Sequence, residues 1–280
     1  PPGCRGIQAA IRPCTSERVH HFRTMKSILI TTIIFSQVFA QGEWLPGTAH
    51  TLPKGRWEIG LFQPVRWGQS ENREISFYKL TSLLMPGVTI KQRWGQPNSW
   101  TISTTHSLYY PTPLLKTVAK EGIGGMISPE FEIPHLLSLW NMVLASKPLP
   151  QNKILTTKVG FTLAFGGTNL SKESTIDLPL VYHRLAVYYN GWLLRFGSDL
   201  NGQIGKKWSY LIDGDYILIP GMKGYFTLEH KGMLSWKKSS TFLISIGYKL
   251  IYGLYPDGYP NNNITRFHVI PLLDLQWAVD

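Results

Sequence analysis

The sequence predicts an all-β fold, a closed antiparallel up-and-down transmembrane β-barrel of about twelve strands, with about ten as the alternative. Long segments alternate apolar and polar residues with period two, which puts each set on its own face of a strand. Several segments span about ten residues, the length that a tilted membrane strand needs. Aromatic residues cluster at the segment ends, as in interfacial girdles, and the opposite face is polar.

The alternation is clearest between residues 155 and 165, where Leu155, Val159 and Phe161 oppose Lys158 and Thr162. Applied along the chain, the same pattern gives twelve segments. The predicted strands are 55–64, 72–81, 87–95, 99–110, 135–147, 153–166, 180–189, 192–202, 206–219, 223–237, 240–252 and 264–278.

Residues 25–41 have the parts of a secretory signal peptide. Lys26 supplies the positive start, residues 28–35 are an apolar run, and Val38 and Ala40 offer small side chains for cleavage. The apolar run is too short to span a membrane as a helix. We therefore expect Met25 to be the start, 1–24 to be upstream sequence read through in frame, 25–40 to be the signal peptide and 41–280 to be the barrel.

The two cysteines, Cys4 and Cys14, precede this segment, so the exported chain would have no disulfide, thiol nucleophile or Cys-ligated metal. The formal charge of +11 falls to a mild excess, with 23 basic and 16 acidic residues after residue 40. That part contains no block of Lys and Arg, which argues against nucleic-acid binding.

An export signal, alternating strands with aromatic ends and a last strand closing on Leu273 to Trp277 together resemble Gram-negative outer-membrane β-barrels. Within that class the chain is similar to uncharacterised porin-like barrels that share the leading pattern of residues 51–60. The resemblance implies an outer-membrane location, contact with lipid and lipopolysaccharide, and assembly through the C-terminal strand, without a cofactor. Because the chain ends on Asp280 rather than an aromatic residue, we expect that the assembly signal rests on Trp277 or is imperfect, or that the 3′ end is truncated.

Turn signals add two expectations. Asn190-Gly191 predicts a two-residue hairpin, because both positions of that turn need a positive φ. An even strand count places both termini on the periplasmic side. Counting strands from there, we expect the turn at 81–86 and a short helix or cap near 112–121 on the periplasmic side as well.

Charged residues on the polar faces are the best functional signal, since Lys or Arg facing mid-bilayer lipid costs about 2–4 kcal/mol. Residues from neighbouring strands are expected to form one lumen charge network. Its predicted members are Lys91, Arg93, Lys158, Arg195, Asp199, Asp213, Asp215, Glu229, Lys231 and Lys249, with Glu58 and Asp274 also facing the lumen.

Such a network has two compatible interpretations, a salt-bridged plug and a charged constriction that selects small solutes. We predict a narrow passive pore for small polar or anionic solutes, with diffusion biased by the lumenal Lys and Arg. The alternatives are a structural barrel with a closed lumen and a membrane-embedded hydrolase of lipase or protease type.

Two sets of residues raise the hydrolase alternative, although neither leads us to predict a catalytic residue. Asp213 and Asp215 could activate water together, but the nearby His230 has the parity of the lipid-facing residues. His106-Ser107 with Asn141 resembles the Ser/His/Asn set of outer-membrane phospholipases, but adjacent strand residues point to opposite faces. No metal-binding or phosphate-binding motif is found.

Overall fold

A computed structural model describes residues 44–121, 127–177, 184–220, 226–256 and 263–280. The predicted read-through segment and signal peptide lie outside the described residues. Within the described ranges, no helix has the length and apolar character needed to cross a membrane.

Twelve antiparallel strands form a closed barrel, which confirms the predicted fold class. Each strand pairs with its neighbours along the chain, and the first strand closes on the last with Trp57 opposite Val279. The strands are β1 Trp57–Gly60, β2 Val65–Ser70, β3 Arg73–Phe77, β4 Gly87–Gly95, β5 Thr101–Tyr109, β6 Leu137–Leu149, β7 Lys153–Phe165, β8 Trp192–Ile204, β9 Trp208–Leu218, β10 Phe226–Ser239, β11 Phe242–Pro256 and β12 Asn263–Val279.

Two of the predicted strands are wrong. The segment 55–64 is not one strand, because the chain reverses after Gly60, where an added Cβ would lie 2.6 Å from Cβ of Gln63, and β2 follows. The segment 180–189 is not a strand in its described part, since Val187–Asn190 forms one helical turn, α2. The two errors offset each other, so the count of twelve holds.

The predicted hairpin at Asn190-Gly191 is also wrong. Asn190 is the last residue of α2, and Gly191 caps the helix with φ 88° and a hydrogen bond from its N–H to the carbonyl of Val187. A positive φ at glycine ends a helix as readily as it closes a hairpin, and the tertiary context selects the helix end here.

Connections alternate between two ends of the barrel. The short-turn end holds the tight reversals after even-numbered strands, the residues before β1 and the residue after β12. The long-loop end holds the connections 61–64 and 78–86 and the described residues of the connections that follow β5, β7 and β9.

The predicted helix near 112–121 is present as α1, Thr112–Val118, with a proline in its first turn. Its predicted position is wrong, because α1 follows the fifth strand and therefore lies at the end opposite the chain termini. The turn at 81–86 follows β3 and is misplaced in the same way. The cause is β2, a strand that the prediction lacked. One additional strand moves each connection between β2 and α1 to the opposite end of the barrel.

The outer face of the barrel is apolar. Exposed aliphatic and Phe side chains fill its middle: Val88, Ile90, Leu139, Val143, Val159, Phe161, Leu163, Phe196, Ile212, Leu228, Leu234, Ile246, Val269 and Leu273. Exposed aromatic rings flank them: Trp57, Trp94, Trp208 and Trp277 toward the short-turn end, and Phe77, Phe165, Trp192, Tyr252 and Phe267 toward the long-loop end.

An apolar core sits at the long-loop end, where residues 110–121 and 127–136 pack against residues 166–177 and 184–191; we call it the cap. Its buried residues are Leu115, Ala119, Ile127, Ile133, Leu136, Leu170, Ile176, Leu185, Ala186, Val187 and Tyr188, which meet Leu193, Ile217 and Ile219. Arg184 ties the cap to the wall. It pairs with Asp177 at 2.5 Å and donates to Thr227 and to the Leu254 carbonyl.

Candidate functional site

The inner face of the barrel carries a buried ion-pair group on β7, β8 and β9. The ammonium of Lys158 lies 2.5 Å from Oδ1 of Asp199, 2.9 Å from Oδ1 of Asp213 and 3.1 Å from Oδ1 of Asp215. The register places Asp199 opposite Asp213 and Gly197 opposite Asp215. A Cβ on Gly197 would lie 2.0 Å from Oδ1 of Asp215 and 2.9 Å from Cε of Lys158, so the group packs against glycine.

Further pairs extend this group along the wall. Arg195 lies 2.5 Å from Oδ2 of Asp215, and Lys231 lies 3.1 Å from Oδ2 of Asp213. On β10 and β11, Lys249 lies 2.9 Å from Glu229. Each of these predicted cations therefore faces a carboxylate, which offsets its field in the lumen.

A second ion-pair group lies on β1 to β4, and sequence reasoning missed most of it. Arg66 bridges Glu58 at 2.8 Å and Glu74 at 2.9 Å. Arg56 pairs with Glu58 at 3.2 Å, and Lys91 lies 3.7 Å from Glu74. The available signal was the pairing of Arg66 opposite Glu58, which becomes visible only when 65–70 is read as a strand.

Two predicted residues act elsewhere. Arg93 donates to Oδ1 of Asn72 and to the Glu71 carbonyl, both 2.8–2.9 Å away, so it holds the β2–β3 turn at the short-turn end. Asp274 is buried and accepts the N–H of Phe62 at 2.7 Å, which fixes the β1–β2 reversal. These contacts describe structural roles rather than a constriction.

Residues 45–56 lie against inner-face side chains of several strands; we call them the plug segment. Lys91 donates to the carbonyls of Thr48 and His50, each at 3.1 Å. The N–H of Ala49 donates to Oγ of Ser146 at 2.8 Å, and Leu52 donates to Glu74 at 3.1 Å. Thr48 and Ala49 are 0% exposed, so this end of the lumen is filled.

The plug segment carries one titratable side chain with a shifted pKa. Burial, together with the charges of Lys91 and Arg93, lowers the pKa of His50 to about 4. The imidazole is therefore neutral at pH 7, and protonating it works against the folded position of the segment.

The lumen is more open toward the long-loop ends of β3, β4 and β5. Ser76, Thr89 and Ser107 lie on the inner face there and are half-buried rather than fully buried. Thr89 and Ser107 are joined at 2.8 Å. Small polar side chains thus line the space above the second ion-pair group.

The structure brings Asp213 and Asp215 together around Lys158 but not with His230, so the proposed water-activating site is not assembled. Asp213 and Asp215 are both held by cations, while His230 lies on the outer wall with Nε2 3.1 Å from the Tyr248 hydroxyl. Across the described ranges, no group of three or more His, Cys, Asp or Glu side chains is arranged to hold a metal ion.

The second proposed set is rearranged. Ser107 and His106 point to opposite faces, as expected for adjacent strand residues. Ser107 faces inward, and His106 faces outward with its Nδ1 2.8 Å from Oδ1 of Asn141. Its Nε2 lies 3.2 Å from Oγ1 of Thr104, two residues earlier on the same face. Sequence reasoning missed Thr104, although period two along β5 would have supplied it.

No known protein family matches the chain. No curated protein matches it either. Among solved structures, the "CymD monoaromatic hydrocarbon channel" overlaps with a TM-score of 0.30 at 9% identity, covering 81% of this chain and 88% of that chain. A likeness this weak carries no argument about what this chain binds.

Proposed function

We propose that the chain is an outer-membrane β-barrel that acts as a narrow pore for small polar solutes, held closed at rest by the plug segment. The observation that carries the proposal is the polar attachment of residues 45–56 to the inner wall through Lys91, Ser146 and Glu74. Water can replace each of these hydrogen bonds, which contribute about 0.5–1.5 kcal/mol for the neutral bond to Ser146 and about 1.5–3 kcal/mol for those that involve Lys91 or Glu74. The segment can therefore leave without unfolding the barrel.

The outer wall supports the membrane assignment. Its exposed apolar band lies between two sets of aromatic rings, the pattern of a wall that faces the hydrocarbon core between the two interfaces of a bilayer. Short turns at one end and long loops at the other are typical of outer-membrane barrels, whose short turns are periplasmic. We accordingly propose that the plug segment enters from the periplasm. Contact with lipopolysaccharide and assembly through β12, with Trp277 exposed, remain part of the proposal.

The charges favour polar solutes over anions. Lys158, Arg195, Lys231 and Lys249 each face a carboxylate within 3.2 Å, so the inner wall offers little excess positive field. The side chain of Lys231 is 29% exposed and is the most open of these cations. We therefore propose weak ion selectivity.

Conductance of a reversibly locked plug tests the proposal. The chain from residue 41 has no cysteine, and the backbone N of Ala49 lies 2.8 Å from Oγ of Ser146, so these two positions are in contact and can be tested with a disulfide. In planar bilayers we expect oxidised A49C/S146C to be silent and the reduced protein to open. A49C alone is the matched control. Equal conductance in both redox states of the double variant would contradict the plug.

A structural barrel with a permanently closed lumen is the second candidate. The cap favours it, because its apolar core covers the long-loop end over β8 and β9. The variant K91M/S146A, which removes three plug contacts, separates the two candidates. Openings more frequent than in the unaltered chain support the pore. If neither the variant nor the unaltered chain conducts at any salt concentration or voltage, the pore proposal is wrong.

A further inference from the structure

We propose that Thr104, His106 and Asn141 form a hydrolytic site on the outer wall that cleaves acyl esters of membrane phospholipids. Thr104 is the nucleophile, His106 the general base, and Asn141 the group that orients the imidazole. The site lies on the lipid-facing side of the proposed membrane barrel, whereas the pore lies in the lumen. The hydrolytic site can therefore be tested separately from the pore.

The pairing register assembles the three side chains. Thr104 and His106 are two residues apart on β5 and share its outer face, and His106 lies directly opposite Asn141 of β6. Oγ1 of Thr104 lies 3.2 Å from Nε2 of His106, and Nδ1 lies 2.8 Å from Oδ1 of Asn141. Nucleophile, base and orienting group are thus in sequential hydrogen-bond contact.

Donor and acceptor chemistry fixes the protons in the direction that catalysis needs. Oδ1 of Asn141 can only accept, so Nδ1 of His106 carries the proton and Nε2 is the free base. Trp94 donates its indole N–H to Oγ1 of Thr104 at 2.9 Å. The Thr104 hydroxyl therefore directs its own proton to Nε2.

The depth of the site matches lipid ester groups. Trp94 is 68% exposed and lies next to the last residue of β4, among the aromatic rings of the short-turn end. Such rings sit at the headgroup level. Thr104 lies three residues into β5, which is roughly 10 Å along a tilted strand. Its hydroxyl therefore faces the boundary where acyl esters lie.

Arg73 lies beside the site on the outer face, and its positive charge favours a phospholipid over a neutral ester as the substrate. Arg73 pairs with Gln92, and Gln92 pairs with Thr104, so the three residues lie side by side on the outer face. Arg73 is exposed and lies two strand spacings, or roughly 10 Å, from Thr104. A long guanidinium side chain at that distance can meet the phosphate while Thr104 meets the ester.

The reaction that we propose balances with only the ester and water as reactants. Oγ1 attacks the ester carbonyl carbon as Nε2 takes its proton, and the carbon–oxygen bond to the glycerol breaks as Nε2 protonates that oxygen. Water then attacks the acyl-threonine while Nε2 takes a proton from it. The fatty acid leaves and the Thr104 hydroxyl regains its hydrogen.

A satisfied polar cluster is the alternative explanation, since polar groups facing lipid must bond one another. The pair His230 and Tyr248, at 3.1 Å on the opposite part of the outer wall, is such a cluster. It provides a control, because it exposes an imidazole to lipid without an aliphatic hydroxyl in its hydrogen bond.

Hydrolysis of phosphatidylcholine vesicles containing the refolded chain tests the proposal, with fluorophosphonate labelling of the nucleophile as a second measurement. We expect T104A and H106A to lose at least about 100-fold in kcat. T104S should retain activity and labelling. H230F and S107A, which alter the outer-wall control and the inner-face serine, should match the unaltered chain. Folding of each variant is checked by its heat-dependent migration.

Positioning roles need separate measurements. N141A should lower kcat with unchanged KM and should shift the pH profile, and N141D should restore both. R73A should raise KM for phosphatidylcholine and leave hydrolysis of p-nitrophenyl butyrate unchanged. Hydrolysis by folded T104A at the unaltered rate, or an unaltered chain that neither hydrolyses ester nor takes the label, would overturn the proposal. Hydrolysis restricted to the neutral ester would overturn the phospholipid assignment.

Discussion

Replacing Lys158 with methionine should destabilise the barrel more than any comparable change on its strand. One ammonium meets three carboxylates within 3.1 Å, and its side chain is 4% exposed. Methionine keeps an unbranched side chain of similar length and removes the charge together with its three N–H donors. Asp199, Asp213 and Asp215 then share only the charges of Arg195 and Lys231 on the neighbouring strands.

The expected loss is about 3–5 kcal/mol, the cost of leaving a buried partner of an ion pair uncompensated. With a urea slope of about 2 kcal/mol/M, a loss of about 4 kcal/mol lowers the unfolding midpoint by about 2 M. Unfolding of the refolded barrel in lipid vesicles, followed by Trp fluorescence, measures it.

Lys153 provides the matched control on the same strand. Its ammonium meets only the amide oxygen of Gln151 at 2.8 Å at the exposed β6–β7 turn, so K153M should change stability by less than about 0.5 kcal/mol. Adding Asp199→Asn should stabilise K158M, because it removes one of the stranded carboxylates, whereas it should destabilise the unaltered chain. A K158M midpoint close to that of K153M would refute the reasoning.

Two further predictions concern pH and packing. The pKa of His50 is about 4 in the folded chain and about 6.5 unfolded, so the unfolded chain binds more protons between these values. The free energy of unfolding should therefore fall as pH drops from about 6.5 to about 4, and H50Q should show a weaker dependence on pH over this range. The same pH dependence in H50Q and the unaltered chain would contradict the prediction. Gly197→Ala forces a Cβ to within 2.0 Å of Asp215 and should cost about 1–3 kcal/mol, whereas Gly214→Ala meets nothing within 4 Å and should be neutral in the same urea assay.

The sequence predicts the fold class because long strands repeat their pattern many times. In β7, a strand of thirteen residues, apolar Val159, Phe161 and Phe165 alternate with Lys158, Gly160 and Thr162, so the inner and outer faces of such a strand can be assigned. That assignment also places Lys158 and Asp213 on the inner face. It cannot give their distances, which depend on the register between strands.

Short elements escape the same reasoning. The missed strand, β2, has six residues, too few for a period-two pattern to stand out from a turn. The plug segment has no regular period at all, and only its contacts with Lys91 and Ser146 define its place. Missing β2 then reversed the predicted end for α1, although the total count was right.

The candidate chemistry on the two sides of the wall depends on the register of one strand. On β5, Ser107 faces the lumen and bonds Thr89, while its neighbour His106 faces outward and bonds Asn141. A shift of one residue would exchange the two faces and would put the imidazole among the lumenal hydroxyls. The register is held from both sides, by Thr89 opposite Ser107 on β4 and by Asn141 opposite His106 on β6. Period two along β5 puts Thr104, rather than Ser107, on the same face as His106 in either register. The pairing with β4 and β6 determines that this face is the outer one and that His106 meets Asn141.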